Sequence, residues 1–362
     1  MTKSFIHFLP AQHGDAFIMH CFKGGAGGIV VVDGGASSSN ARLNPFLTEV
    51  EKLDCIDLMV LTHHDCDHID GLLGYIKKHI SDDTFPVKEI WANCAKHVDF
   101  NLSDKLSVGQ AVKLADFLNS MQDDNKILWR SDINTEQGII SLPFADIEII
   151  GPLPQTYRRF MQEYGTKVVP SASPISSVPD NNINLTCECL AQRPKTPPNP
   201  NDYQILTNMA SISFILRCDG LSVLMLGDSF PQETAECLID KGYSVDNKLT
   251  VDYVKVAHHG SRNNISNDLL NLIDCNKYII STNGGMGRSH HPQREAIANI
   301  LCHPERKIDT SISLFFNYRL DTIERYGHKI FNHQIDKNLN YTIYEPDTEN
   351  TINTGYFLSA CE

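Results

Sequence analysis

Between Thr62 and His68 the chain places three imidazoles and two carboxylates within seven residues, Thr62-His63-His64-Asp65-Cys66-Asp67-His68. In extended backbone, side chains alternate sides, so His63, Asp65 and Asp67 leave together and His68 swings toward them as the chain turns. Imidazole and carboxylate ligands suit divalent metals, zinc foremost and manganese where oxygen ligands are rich. A lone His-x-Asp reads as a polar turn, but this density reads as a chelating loop. Cys66 points away from the ligands and reads as a packed thiol. Three more segments carry the same chemistry: Gly227-Asp228, His258-His259-Gly260-Ser261, and Ser289-His290-His291-Pro292. Of 15 histidines, seven fall in these segments and the first loop, which singles them out for metal chemistry.

Each segment needs an element to hold it. The run 57–62 is continuously apolar and reads as a buried strand, as do LSVLMLG before Asp228 and VDYVKVA before His258. A carboxylate or imidazole directly after such a strand sits at the C-terminal edge of a sheet, where open α/β sheets bind ligands. FIHFLP, DAFIMHCF, GIVVVDGG, KEIWA, KYIIST, 126–128 and 145–150 read as further strands, and Asp219-Gly220 as a hairpin turn. Helices are expected over 40–53, from His68 through 71–79, over Ser107–Met121, from Ser229–Pro231, over 265–273 and after Pro292. Seven of 17 prolines lie between Pro170 and Pro200, so about 165–205 reads as an irregular insertion or lid. Beyond about 310, ISLFF and YTIYE read as added strands, giving a β-rich extension over 306–362 packed on the domain of 1–305.

Composition removes several classes. No apolar run in the 362 residues approaches the ~20 needed to span a bilayer, and the first residues lack the apolar core of a secretory signal. A cytoplasmic, non-membrane protein is expected, its eleven cysteines reduced. Cys187-Glu188-Cys189 has no second pair to make a zinc knuckle, and the isolated His7, His13, His20 and His303 read as structural. A formal charge of -13 disfavours tracking a long polyanion, since that requires a basic surface. Any phosphate substrate would therefore be held by metal ions and not by a broad basic face.

The order of these segments resembles the metallo-β-lactamase fold, and in detail is similar to the hydrolase domain of the competence protein ComEC. That subfamily has Asp at the second ligand position, as Asp65 here, and Gly14-Asp15, Asp33-Gly34-Gly35, Asn208 with Ser211, Gly227-Asp228, His258 to Ser261 and His291-Pro292 match its other motifs. The likeness covers roughly 5–300. Asp70-Gly71 replaces the usual Gly-Gly, and ComEC's membrane helices are missing, so DNA transport does not carry over.

The resemblance implies a four-layer αββα sandwich with two divalent metal ions, Zn²⁺ or Mn²⁺. His63 and Asp65 would hold one ion, with Asn208 or Ser211 near it; Asp67, His68 and His259 would hold the other; Asp228 would bridge. His259 precedes Gly260 as the family's last histidine ligand does, leaving His258, like Asp33, in support. Two ions ~3.5–4 Å apart acidify a bridging water for in-line displacement. Asp67 would orient the resulting hydroxide, His291 would stabilise the transition-state oxygen or protonate the leaving group, and Ser261 and Arg262 are placed to hold a phosphate. The expected activity is that of a phosphodiesterase or nuclease, on a small diester or single-stranded nucleic acid. Alternatives are a lactone, thioester or amide hydrolase of the same fold, or a non-catalytic partner subunit; a protein partner or homo-oligomer is compatible with each.

Overall fold

The computed structural model describes residues 3–36, 45–94, 106–164, 182–285, 290–307, 309–325, 328–347 and 356–359. Alternation along the strands decides the layers. In Ile56–Leu61, Leu58 and Val60 face one apolar cluster while Met59 and Leu61 face another. Phe17–Lys23 does the same with Phe17, Met19 and Cys21 against Ile18. In Leu221–Met225, Val223 and Met225 enter the shared cluster while Leu224 faces a third. Two-sided burial of this kind requires a sheet covered on both faces.

Two sheets result. The first has seven strands in the order Tyr356–Leu358, Phe5–Phe8, Phe17–Lys23, Ala26–Val32, Ile56–Leu61, Val87–Ala92 and Leu128–Arg130. The second has eight: Tyr341–Tyr344, Ile312–Phe316, Lys277–Ile280, Tyr253–Lys255, Leu221–Met225, Ser213–Cys218, Ala145–Gly151 and Ile139–Leu142. Phe8, Phe17, Val60, Phe214 and Tyr253 fill the core between them. Helices Pro45–Val50, Cys66–His79 and Leu106–Asp123 cover the outer face of the first sheet. Pro231–Asp240 and Arg294–Cys302 cover the second. The chain is a four-layer αββα sandwich, as expected.

Several local expectations shift. Of 40–53, the described part is helical only over Pro45–Val50. The 265–273 segment is a short helix, Asn267–Leu270, capped by Ser266, then a strand pair between Ile273–Asp274 and Leu249–Thr250. Ile139–Leu142, a short edge strand with its residues alternately exposed and half-buried, was not anticipated. The Pro-rich stretch is partly regular: 165–181 lies outside the described residues, but Cys187–Ala191 is a helix that buries Cys187, Leu190 and Ala191 in the outer core. After residue 306, Ile312–Phe316 and Tyr341–Tyr344 extend the second sheet in parallel and Tyr356–Leu358 pairs with Phe5–Phe8 of the first. Among the described residues no helix is long and apolar enough to cross a membrane, and the ten described cysteines are free thiols.

Candidate metal centre

Parallel strands of both sheets end at one place. Ala26–Val32 delivers Asp33, and Ile56–Leu61 delivers the His63–His68 loop. Leu221–Met225 delivers Asp228, and Tyr253–Lys255 delivers His258 and His259. Helix Cys66–His79 begins inside the histidine loop, so Asp67 reaches the centre from the first helical turn and not by extended alternation. The same turn leaves Cys66 exposed, with its Sγ 3.2 Å from Gln110, where packing was expected. Gly14 permits this approach: a Cβ there would collide with the carbonyl of Asp67.

The ligand-type atoms face one another. His63 Nε2 lies 3.6 Å from Asp65 Oδ2 and 3.8 Å from Asp228 Oδ2. His68 Nε2 is 3.5 Å from Asp228 Oδ1 and 4.0 Å from Asp67 Oδ2. His259 Nε2 is 3.2 Å from Asp67 Oδ2 and 3.7 Å from Asp228 Oδ2. Among the described residues, three groups have the spacing to hold an ion: His63–His68–Asp228, Asp67–His68–His259 and Asp15–Asp33–His68. Asp65 joins none of them: Gln204 Nε2 donates to its carboxylate at 2.5 Å, and the Asn208 carboxamide lies 3.0 Å away.

The outer nitrogens set the tautomers. His68 Nδ1 donates to Asp33 Oδ2 at 2.8 Å, and His259 Nδ1 to the Ser281 carbonyl at 2.9 Å. His63 Nδ1 meets Thr62 Oγ1 at 3.1 Å. Each Nε2 lone pair is thereby turned inward, the arrangement that orients imidazole for a metal. His63, His68 and His259 Nε2 and Asp228 Oδ1 are all buried without a hydrogen-bond partner. Buried polar atoms are normally partnered, so this convergence fits a bound cation.

Electrostatics agree. Burial disfavours a charged Asp228, but the imidazoles of His258, His68 and His259 hold its carboxyl well below the usual range. Burial would lower His259, yet Asp228 and Asp15 push it up to about 9. Asp67 is likewise held low against burial by His68 and His259. The centre's carboxylates thus, without metal, draw protons onto His68 and His259.

The remaining candidates surround it. The amide of Asp228 donates to Ser211 Oγ at 3.1 Å. His258 Nε2 is 3.5 Å from Asp228 Oδ2, and its Nδ1 is 3.2 Å from Asn264 Oδ1 and 3.4 Å from Asn208. His258 and His259 both adopt left-handed backbone, φ 49° and 54°, conformations that persist in non-glycine residues where surroundings enforce them. His291 lies tilted against His258, ring centroids 5.4 Å apart, with its Nδ1 buried and unpartnered. Burial, then the neighbouring histidines, push it well below the ordinary value, so it is neutral near pH 7. Ser261 is buried and its amide closes the turn onto the His258 carbonyl. The Arg262 guanidinium, 43% exposed, lies 3.9 Å from Glu295. His64 turns away against Phe160 and Tyr164, and burial lowers it to about 4. Ser289 lies outside the described residues.

Two participants were not singled out from sequence, Lys255 and Asn264, and Asp15 was noted only as part of a matching motif. The available signal for Lys255 was a lysine inside the apolar run VDYVKVA. His13, set aside as isolated, is pushed down by burial while Asp67 opposes that shift, which brings it within electrostatic reach of the centre.

Two back-to-back sheets with helices outside, and a histidine–aspartate centre at the strand ends, define a chain of the metallo-β-lactamase fold. No family model and no curated protein matches it. Among solved structures it is similar to Zn²⁺-bound PqqB from Methylobacterium extorquens, at 10% identity over 98% of this chain and 99% of that one, TM-score 0.43. It is similar to the metallo-β-lactamase fold protein YhfI from Bacillus subtilis, at 9% identity over 99% of each chain, TM-score 0.37. It is also similar to a variant of the CmlA β-hydroxylase, at 13% identity over 78% of this chain, TM-score 0.39; it spans 46% of that protein's length.

Proposed function

We propose that this chain is a metal-dependent hydrolase of small or short phosphodiesters. The observation that supports it most is the convergence of three buried, unpartnered imidazole nitrogens on Asp67 and Asp228. Two divalent ions, zinc or manganese, would supply Lewis acidity and an activated water there. His63 and Asp228 would hold one, with Asp65, 3.6 Å from His63 and bonded to Gln204, beside it, and Asp67, His68 and His259 would hold the other, with Asp228 shared.

The other roles belong to the protein. Asp33 and the Ser281 carbonyl keep His68 and His259 in the tautomer that presents Nε2. Asp67, 20% exposed in its side chain, faces solvent and orients the nucleophile by accepting its hydrogen bond. Neutral His291 donates an N–H to the oxygen that gains charge. Arg262, three residues after His259 in the chain and 43% exposed, would offer a cation that favours a phosphate over an uncharged acyl group. The segments that resemble ComEC, Gly14-Asp15, Asp33, Asp228 and His258 to Ser261, border this one centre, which supports the phosphodiester reading.

The test is turnover by metal-loaded protein on bis-(p-nitrophenyl) phosphate, a single-stranded oligonucleotide and nitrocefin. Diester cleavage is expected, and Asp67→Ala should abolish it while circular dichroism stays unchanged. Cleavage of nitrocefin alone would move the activity to acyl substrates. No turnover with metal bound would favour a non-catalytic subunit.

A further inference from the structure

Strand Tyr253–Lys255 puts Tyr253 into the core between the sheets and Val254 on the outer face, so period-two alternation sends Lys255 inward. Lysine is almost never fully buried unless paired, and Lys255 is 0% exposed. Its ammonium contacts the Asp15 carboxylate, donates to the Gly227 carbonyl at 3.0 Å, and lies 3.9 Å from Asp228 Oδ1. Asp15 belongs to the turn that opens the first sheet, whereas Gly227 and Asp228 follow a strand of the second. The lysine therefore spans the two halves of the sandwich directly beneath the metal centre.

Asp15 extends the link. Its Oδ1 lies 3.4 Å from His259 Nδ1, its amide donates to the Asp67 carbonyl at 3.3 Å, and the Gly14 carbonyl accepts from Ser281 Oγ at 2.6 Å. Ser281 in turn supplies the carbonyl that orients His259. One ion pair thus touches the backbone before Asp228, the outer edge of His259 and the backbone of Asp67. An ion pair kept only for stability has no need of these contacts, and neutral replacement of both partners in such a pair often costs little.

We propose that Lys255, held by Asp15, is a positioning residue of the metal centre. It fixes the separation between Asp67 and His68 on one sheet and Asp228 and His259 on the other, and so sets the affinity for the ion at Asp67–His68–His259. This role presupposes the metal-dependent reading above, so metal binding is measured in place of turnover.

Zn²⁺ is titrated calorimetrically into the metal-free full chain as wild type, Lys255→Met and Asp15→Asn/Lys255→Met, with thermal melts alongside. The single variant should lose both stability and affinity, because Asp15 is left buried and uncompensated. The double variant should recover its melting temperature yet bind the ion at Asp67–His68–His259 at least about tenfold less tightly. Wild-type affinity in the double variant overturns the positioning role, while a wild type that binds no divalent ion overturns the metal-dependent reading as well. Should the variants not fold, ¹⁵N-lysine-labelled wild type decides: the Lys255 Nζ resonance should shift on Zn²⁺ addition, and an unmoved resonance overturns the role.

Discussion

Asp33 Oδ2 lies 2.8 Å from His68 Nδ1, and the same oxygen accepts from Thr62 Oγ1 at 2.7 Å. Thr62 Oγ1 is 3.1 Å from His63 Nδ1, so one carboxylate aligns two of the proposed ligand histidines. Outer partners of this kind typically govern metal affinity by about 10–100-fold. Asp33→Ala should weaken Zn²⁺ binding by that amount with both His63 and His68 still present, as measured by calorimetry. Unchanged affinity would show that Asp33 serves the fold alone.

His291 is the test of transition-state stabilisation. It borders His258 without belonging to any of the three ligand groups, so His291→Ala should leave metal content unchanged. The loss of one well-placed donor typically lowers kcat by about 10²–10³. Mass spectrometry of bound metal and steady-state kinetics on bis-(p-nitrophenyl) phosphate separate the two effects. A fall in metal content would make His291 part of the binding shell.

Stability of the metal-free protein should depend on pH through His259, which Asp228 and Asp15 push up to about 9 against burial. A histidine raised in the folded state contributes stability that is complete below its unfolded value near 6.5 and lost as pH rises through about 9. Melting temperatures should therefore fall between about pH 7 and 10 without metal. Bound metal replaces the proton on the imidazole, so the loaded protein should lack this decline and release protons on binding. Parallel calorimetric scans across that range compare the two forms.

Salt response distinguishes short from long substrates. A protein that tracks a phosphate backbone loses about 10³–10⁵ in affinity between 50 and 200 mM salt. Here the phosphate is assigned to the centre and Arg262 within a chain of net charge -13. kcat/KM on a small diester should change by no more than about threefold over that range, since few exposed charges are involved. A steep slope on an oligonucleotide would indicate an extended basic path.

Much of the site was legible because its residues are contiguous. His63 to His68 declare themselves by density, and Asp228 and His259 each follow an apolar run that could only be a buried strand. The layers were legible for the same reason: two-sided apolar strands demand helices on the outside. Ile139–Leu142 escaped because four residues are too few to show strand periodicity. The Pro-rich stretch hid helix Cys187–Ala191 because five residues are too few for a periodic signal.

By itself, the sequence determined which segments carry ligand-type side chains and that each such segment follows an apolar run, since residue chemistry and apolar runs are local properties. Tertiary structure alone decided how they meet. It turned Asp65 toward Gln204 and Asn208, made Asp33 the common anchor of His63 and His68, and brought Asp15, 240 positions away in the chain, against Lys255. No local pattern encodes such contacts, because they exist only once two sheets have packed and buried their charges together.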